Sequence, residues 1–283
     1  MTTFLLIPGA GGDARSWSRL VPRLQERGHD AIAVDLPAQD ESAGWAEHAQ
    51  VAITALGRAD PRTTVVVAHS MGAYVAPLVA DRVPVRLLVL VNPMIPARGE
   101  SAGQWWEATG HDAARAQAGS GPLEAPRDFF HDVSSEIPAT AVTWPQRPPC
   151  ERSFAEPWPG TGRPSTPTVV VQGRDDRLFP VAFVRELARE RLGVEVAEVP
   201  GGHLLPLSRP DELARRLVAL LDPPGPAARP APPPAGDRRR GGRPERHRAT
   251  RAAVATDLTA HRARHERAPG RSRLKMHLRQ TLH

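Results

Sequence analysis

The sequence predicts an α/β fold in which a mostly parallel sheet is covered by helices on both faces. Short apolar runs recur along the chain, and segments with apolar residues at helical spacing separate them. Glycines and prolines punctuate the boundaries between these segments. Apolar strands that alternate with helices are typical of a parallel sheet that is buried on both faces.

The predicted elements alternate in order along the chain. The predicted strands are 4–7, 31–34, 65–67, 87–91, 168–171 and 194–199. Apolar residues at helical spacing predict helices within 17–24, 45–56, 74–79, 183–192 and 213–221. Gly28 is expected to close the first helix, and the stretch from Ser208 to Asp211 has the pattern of a capping box for the last one.

The alternation stops between about residues 95 and 167, a segment that we call the insertion. It holds four of the six tryptophans and is rich in proline and glycine. Long segments between strands are usually functional or disordered, and the aromatic content argues against disorder. We therefore predict a mostly helical lid, whose aromatic residues mainly fasten it to the domain while one or two face a substrate. The candidate pocket residues are Trp105, Trp106, Phe130 and, outside the insertion, Leu204.

Residues 223–283 differ sharply in composition from the rest of the chain. They carry fifteen Lys and Arg against four Asp and Glu, so their net charge is +11 while that of residues 1–222 is −5. We predict one domain, 1–222, followed by a disordered Pro/Arg-rich basic tail. Phosphate contacts with nucleic acid are an alternative, although the tail lacks aromatic residues for base stacking. A read-through or a shifted reading frame would also produce such an abrupt change.

The sequence indicates a soluble, cytoplasmic protein without a membrane partner. Its single cysteine, Cys150, excludes an internal disulfide and fits a reducing compartment. The first residues show no signal-peptide pattern. No apolar run reaches the roughly 18–20 residues that a membrane-spanning helix needs.

The most informative motif surrounds Ser70. The apolar run 65–67 leads through Ala68 to this serine, and a helical pattern follows it. This arrangement is typical of a nucleophile elbow, a sharp strand-to-helix turn that exposes a serine hydroxyl. The turn requires small side chains two residues before and after the serine, and these are Ala68 and Gly72. A helix-capping serine in an ordinary loop is the alternative.

Partners for such a serine follow two later strands. A serine hydroxyl becomes a nucleophile when a histidine takes its proton and a carboxylate orients the histidine. Asp176 follows the strand 168–171, and His203 follows the strand 194–199. Each alone has an ordinary interpretation as a loop residue, and Asp175 is one position away from the predicted acid. Together, however, the three residues follow strands whose carboxyl ends meet at one edge of the sheet.

A glycine-rich loop after the first strand supplies the remaining part of such a site. The loop 8–12 lacks the patterns of phosphate-binding and dinucleotide-binding loops. We interpret it as one side of an oxyanion hole, with the backbone N–H groups of Ala10 and Met71 as the two donors.

These motifs together resemble the α/β-hydrolase superfamily over roughly residues 3–221. Within it, the chain looks like the compact bacterial esterase-like members related to plant methylesterases and hydroxynitrile lyases. The resemblance implies that Ser70 is the nucleophile, Asp176 the acid and His203 the base, with no organic cofactor and no metal. Two positions depart from the family pattern, because Ala68 stands where glycine is usual and Pro8 where histidine is frequent.

The resulting prediction is a serine hydrolase that cleaves a carboxylic ester or thioester of a small apolar substrate through an acyl-enzyme. Lyases of this type add a lysine beside the catalytic histidine, whereas the one lysine here is Lys275 and Leu204 follows His203. The alternatives are an acyltransferase or type II-like thioesterase in a biosynthetic pathway, and a non-catalytic ligand-binding protein. The pair His131–Asp132 is interpreted as a helix cap or a lid-docking contact in preference to a metal site.

Overall fold

A six-stranded sheet, with every strand parallel to its neighbours, forms the centre of the part of the chain that the structure describes. The computed structural model describes residues 1–135, 137 and 149–221. The strands, in the spatial order β2-β1-β3-β4-β5-β6, are β1 (Thr3–Ile7), β2 (Asp30–Ala33), β3 (Thr64–His69), β4 (Leu87–Val91), β5 (Thr168–Gly173) and β6 (Val196–Val199). The predicted fold class is therefore confirmed.

Helices cover both faces of this sheet. The α-helices are α1 (Leu20–Gln25), α2 (Trp45–Ala55), α3 (Ala76–Ala80), α4 (Ala102–Ala108), α5 (His111–Gln117), α6 (Ala125–Phe130), α7 (Glu151–Ala155), α8 (Val181–Arg191), α9 (Leu205–Ser208) and α10 (Pro210–Ala219). Alternate strand residues point to opposite faces: Leu6 joins an apolar cluster with α1 and α10, whereas Leu5 joins one with α2, α3 and α8. Burial of both strand faces explains the nearly continuous apolar runs.

Local details differ from the predicted elements. The first predicted helix is a 3₁₀ helix, Ala14–Trp17, followed by α1. Ser208 ends α9 and does not cap α10, whose N-cap residue is Arg209. Proline at the start of α10 pre-sets the helical backbone angle, so this helix begins without a side-chain cap.

The insertion carries four short helices, α4 to α7, among its described residues. Residues 136 and 138–148 of the insertion and the whole predicted tail, 223–283, lie outside the described residues. No described helix combines the length and the apolar character that crossing a membrane requires.

The turn after β3 is sharp and closely packed. The chain passes directly from β3 into a 3₁₀ helix, Ser70–Tyr74, and Ser70 has a φ of 52°. Such a positive φ is uncommon for a residue with a side chain. A Cβ atom added to Gly72 would lie 2.6 Å from the carbonyl oxygen of Pro8. Because that neighbour is backbone, the site has no room for any side chain at position 72.

We predict that Gly72→Ala destabilises the protein by about 2–4 kcal/mol, because the added methyl group forces the turn away from the loop after β1. Ala68→Gly, on the other side of the turn, is the matched control. It should cost no more than about 1 kcal/mol, the usual penalty of glycine in a strand. Urea unfolding of both variants measures the difference, and equal midpoints for Gly72→Ala and the parent protein would contradict the packing argument.

Candidate active site

Ser70 lies at the carboxyl end of β3, where the sharp turn directs its side chain towards a cavity. Its carbonyl accepts a hydrogen bond from the N–H of Met94, at a distance of 3.1 Å. Backbone strain of this kind persists only where the surroundings fix it, and it is concentrated at functional sites. The local geometry is the one that the elbow motif predicts.

His203 lies beside the hydroxyl of Ser70. Its Nε2 atom is 3.2 Å from Ser70 Oγ, and its Nδ1 atom is 2.9 Å from Asp176 Oδ2. Because an ionised carboxylate can only accept, Nδ1 carries the ring proton and the lone pair of Nε2 faces the serine hydroxyl. The three predicted residues are thus joined in one hydrogen-bonded chain, buried on strand ends that share one edge of the sheet.

Asp176 is held from several sides. Its Oδ1 atom accepts from the N–H groups of Leu178 and Phe179, at 2.8 and 2.9 Å, and its Oδ2 atom also accepts from Gln172 Nε2 at 3.1 Å. Asp175, the alternative acid, instead accepts from the N–H of Gly201 at 2.9 Å. The structure therefore brings Asp176, and not Asp175, to the histidine.

Asn92 links these loops and was missed by sequence reasoning. Its Nδ2 atom donates to the carbonyls of Gly202 and His203, at 3.0 and 2.7 Å, and its Oδ1 atom accepts from Gly173 N–H at 2.7 Å. The residue is fully buried and has a φ of 45°, a conformation that asparagine tolerates better than most residues. The sequence feature that could have indicated a functional position is that Asn92 directly follows the apolar run of β4.

His69 is a second buried polar residue at the site, directly before Ser70. Its Nε2 atom lies 2.8 Å from the carbonyl oxygen of His203, so Nε2 must donate. Burial, reinforced by the neighbouring His203 ring, lowers the pKa of His69 to about 3. This side chain therefore stays neutral near neutral pH and supports the carbonyl of His203 together with Asn92.

The loop after β1 forms the opposite wall of the site. A turn is closed by a 3.0 Å hydrogen bond from Gly12 N–H to the Gly9 carbonyl, with Ala10 in its centre. Gly12 has a φ of 67° and packs against Leu36, which leaves no space for a side chain. Ala10 and Met71, the two predicted backbone donors, both line the cavity that contains Ser70.

The cavity above Ser70 has a volume of about 740 Å³, including space that opens to solvent. Its walls are mainly apolar, and they include four Trp and Phe side chains from the insertion and from the loop after β5. These are Trp106, Phe129, Phe154 and Phe179.

Two of the four predicted pocket residues line this cavity, and two do not. Trp106 and Leu204 are lining residues. Trp105 instead points into the core, where its indole N–H donates to the Ile95 carbonyl at 2.9 Å, and Phe129 takes the place predicted for Phe130. Consecutive helical residues point about 100° apart, which explains why one member of each aromatic pair faces the cavity while the other points elsewhere.

The pair His131–Asp132 lies against the loop that carries His203. Asp132 Oδ2 accepts from the N–H of Gly202 at 2.8 Å, which makes it a contact between the insertion and this loop. In the described part of the chain, no group of three or more His, Cys, Asp or Glu side chains is arranged to hold a metal ion.

The depressed pKa of His69 predicts a loss of stability in mild acid. The unfolded chain protonates this histidine near pH 6.5, whereas the folded chain does so only near pH 3. The unfolded state therefore binds more protons in this window, and the free energy of unfolding falls as pH falls. From pH 7 to pH 5 we expect His69 to account for about 2 kcal/mol of that loss.

Urea unfolding of the parent protein and of His69→Gln at both pH values measures this contribution. Glutamine can still donate to the His203 carbonyl but does not titrate, so the variant should lose less stability between pH 7 and pH 5. An equal loss in both proteins would contradict the assignment.

Known proteins resemble this chain over most of its length. A model of the alpha/beta hydrolase family matches residues 4–217. A rice (Oryza sativa subsp. indica) protein named probable esterase PIR7A is 27% identical, over 77% of this chain and 95% of its own length. The crystal structure of polyneuridine aldehyde esterase is similar with a TM-score of 0.63 at 21% identity, covering 78% of this chain and 100% of that one. The methylesterase MES16 from Arabidopsis has a TM-score of 0.61 at 16% identity, covering 78% of this chain and 99% of its own.

The structural likenesses, at such low identity, concern the fold, while the family model spans the sheet and every residue of the hydrogen-bonded chain. The protein belongs to the alpha/beta hydrolase family, and the ester-cleaving class predicted from its sequence is the class for which all three relatives are named.

Proposed function

We propose that this protein hydrolyses carboxylic esters of small, neutral, apolar substrates through an acyl-enzyme on Ser70. The observation that carries the proposal is the hydrogen-bonded chain from Ser70 through His203 to Asp176 at the base of an apolar cavity. The esterase names of the relatives support the same reaction type.

In the proposed acylation, the Ser70 hydroxyl transfers its proton to Nε2 of His203 while Oγ attacks the ester carbonyl carbon. Asp176 stabilises the imidazolium that forms. The N–H groups of Ala10 and Met71 donate to the developing oxyanion. The carbon–oxygen bond to the alcohol then breaks, and the alcohol leaves with the proton from His203.

Deacylation repeats these steps with water as the nucleophile. His203 takes a proton from the water, the resulting hydroxide attacks the acyl carbon, and Ser70 leaves with the proton from His203. The products are the free acid and the regenerated serine. No cofactor enters this sequence of steps.

The insertion is proposed to act as a lid over this reaction. Trp106, Phe129 and Phe154 all belong to it and line the cavity, so it supplies much of the apolar wall. Phe129 also contacts the His203 ring, with ring centroids 5.2 Å apart. Excluding water around the site strengthens the electrostatic interactions within it.

We predict that Ser70→Ala lowers the hydrolysis of short 4-nitrophenyl esters at least about 1,000-fold, because the nucleophile is lost. Ser16→Ala is the matched control, since Ser16 also lines the cavity but its hydroxyl donates to the carbonyl of Asp13 at 2.8 Å. A fluorophosphonate probe should label the parent protein and Ser16→Ala but not Ser70→Ala.

Unchanged hydrolysis by Ser70→Ala would refute the proposed mechanism. Turnover confined to acyl-carrier thioesters would instead favour the thioesterase alternative. A parent protein that neither labels nor turns over any acyl substrate would favour the ligand-binding alternative.

A second prediction concerns substrate charge. Among the described lining residues there is no Lys or Arg, and the carboxylate of Asp13 lies at the cavity and pairs with Arg15. Burial of an anionic acyl group would thus lack a counter-charge. We expect the KM for 4-nitrophenyl monosuccinate to exceed that for 4-nitrophenyl butyrate at least about tenfold. The two esters differ mainly in the terminal carboxylate, so equal KM values would contradict the inferred preference for neutral substrates.

A further inference from the structure

Helix α5 of the insertion is hydrogen-bonded to the loop that carries Asp176. Two of its side chains, His111 and Arg115, are almost fully buried and reach backbone carbonyls of that loop. His111 Nε2 lies 2.8 Å from the Leu178 carbonyl oxygen, and the guanidinium of Arg115 donates to the Arg177 carbonyl. Because a carbonyl can only accept, Nε2 of His111 is the donor.

These two carbonyls belong to the peptide groups that bind the carboxylate. The carbonyl of Arg177 shares a peptide group with the N–H of Leu178, and the carbonyl of Leu178 shares one with the N–H of Phe179. Both N–H groups donate to Oδ1 of Asp176, at 2.8 and 2.9 Å. We call these two peptide groups the peptide bridge.

A donor on the carbonyl side of a peptide group polarises its N–H. Hydrogen bonds in such a chain strengthen one another by about 10–30% each. The two donors on α5 therefore strengthen both N–H bonds to Asp176 and fix the peptide planes from which they come. Arg115 is held in place by Asp128, at 2.7 Å.

We propose that His111 and Arg115 are positioning residues for Asp176, acting through the peptide bridge to fix its carboxylate and its hydrogen bond to His203. The proposal rests on the proposed function, in which Asp176 is the acid of the reaction. It assigns the insertion a role in the chemistry besides covering the cavity.

Other charged and titratable groups surround this assembly. The carboxylate of Asp176 faces His203 and, at longer range, His69, whose burial keeps it neutral. Asp175 and Asp132 accept hydrogen bonds from the N–H groups of Gly201 and Gly202, in the loop that carries His203.

On the insertion side, Asp112 is exposed and lies 3.4 Å from Nδ1 of His111. Asp128 pairs with Arg115, and the neighbouring Arg127 also contacts Asp128. Burial lowers the pKa of His111, so this residue acts as a neutral donor near neutral pH. The two His111 variants described next leave all of these other charged groups in place.

Two variants of His111 separate hydrogen bonding from packing. His111 packs among the rings of Trp105, Trp106, Phe179 and Phe183. His111→Phe retains an aromatic ring and removes the donor, whereas His111→Gln retains a donor and removes the ring. A purely structural role predicts that the phenylalanine variant is the better enzyme, and the peptide bridge predicts the reverse.

For His111→Phe we expect kcat to fall about three- to tenfold with KM within about twofold of the parent value, the size expected for one lost hydrogen bond. Weaker N–H donation leaves Asp176 more basic and favours the imidazolium form of His203. The acidic limb of the pH profile of kcat/KM should therefore move to higher pH. In His111→Gln, both kcat and the pH at which the acidic limb falls should lie near the parent values.

Arg115→Met and Arg115→Lys form a second pair that decides the question if His111→Phe does not fold. The methionine variant should shift the acidic limb upwards, and lysine, which keeps a charged donor, should shift it less. Parent-like pH profiles for the donor-free variants, or a greater loss in His111→Gln than in His111→Phe, would overturn the proposal.

Asp176→Asn, assayed in parallel, separates a failure of the proposed function from a failure of the peptide bridge. Retained activity in Asp176→Asn would overturn the proposed function itself. Loss of activity in Asp176→Asn together with an unaltered profile in His111→Phe would overturn the peptide bridge alone.

Discussion

The site depends on one buried amide, the side chain of Asn92. A parallel sheet brings strand ends to a common edge, but it does not fix the loops that leave those ends. Asn92 fixes two of these loops relative to each other, because its side chain is hydrogen-bonded to Gly173 at the end of β5 and to the carbonyls of Gly202 and His203 after β6. Asn92 also has a positive φ, a strained conformation that persists only where the surroundings fix it. The positions of Asp176 and His203 are thus set relative to each other by a residue that belongs to neither of their loops.

The sheet and the location of the site could be predicted because both follow from apolar patterning. The four inner strands are largely buried on both faces, so each appears as an apolar run, and polar residues that follow strand ends lie at the edge where sites form. This logic brings Ser70, Asp176 and His203 together without any contact being known. Asn92 follows a run in the same way, yet an isolated asparagine has no chemical partner in the sequence that would single it out.

What could not be predicted is which way side chains point in the short helices of the insertion. Helices α4 and α6 have seven and six residues, so they complete fewer than two turns and show little periodicity. Trp105 and Trp106 are equivalent in sequence, but one fills the core and the other lines the cavity. Likewise, Phe129 lines the cavity, whereas Phe130 is partly buried and does not line it. Only tertiary packing makes this choice.

The hydrogen bonds between α5 and the loop after β5 limit how far the sequence of the insertion can change while the rest of the domain stays the same. Such insertions are natural units for exchange between related proteins, since they begin and end at neighbouring strands. Here the backbone at 177–178 is fitted to the side chains at 111 and 115. A transplanted insertion would bring its own α5 against a loop of different sequence, so an exchange would have to include both segments although more than sixty residues separate them.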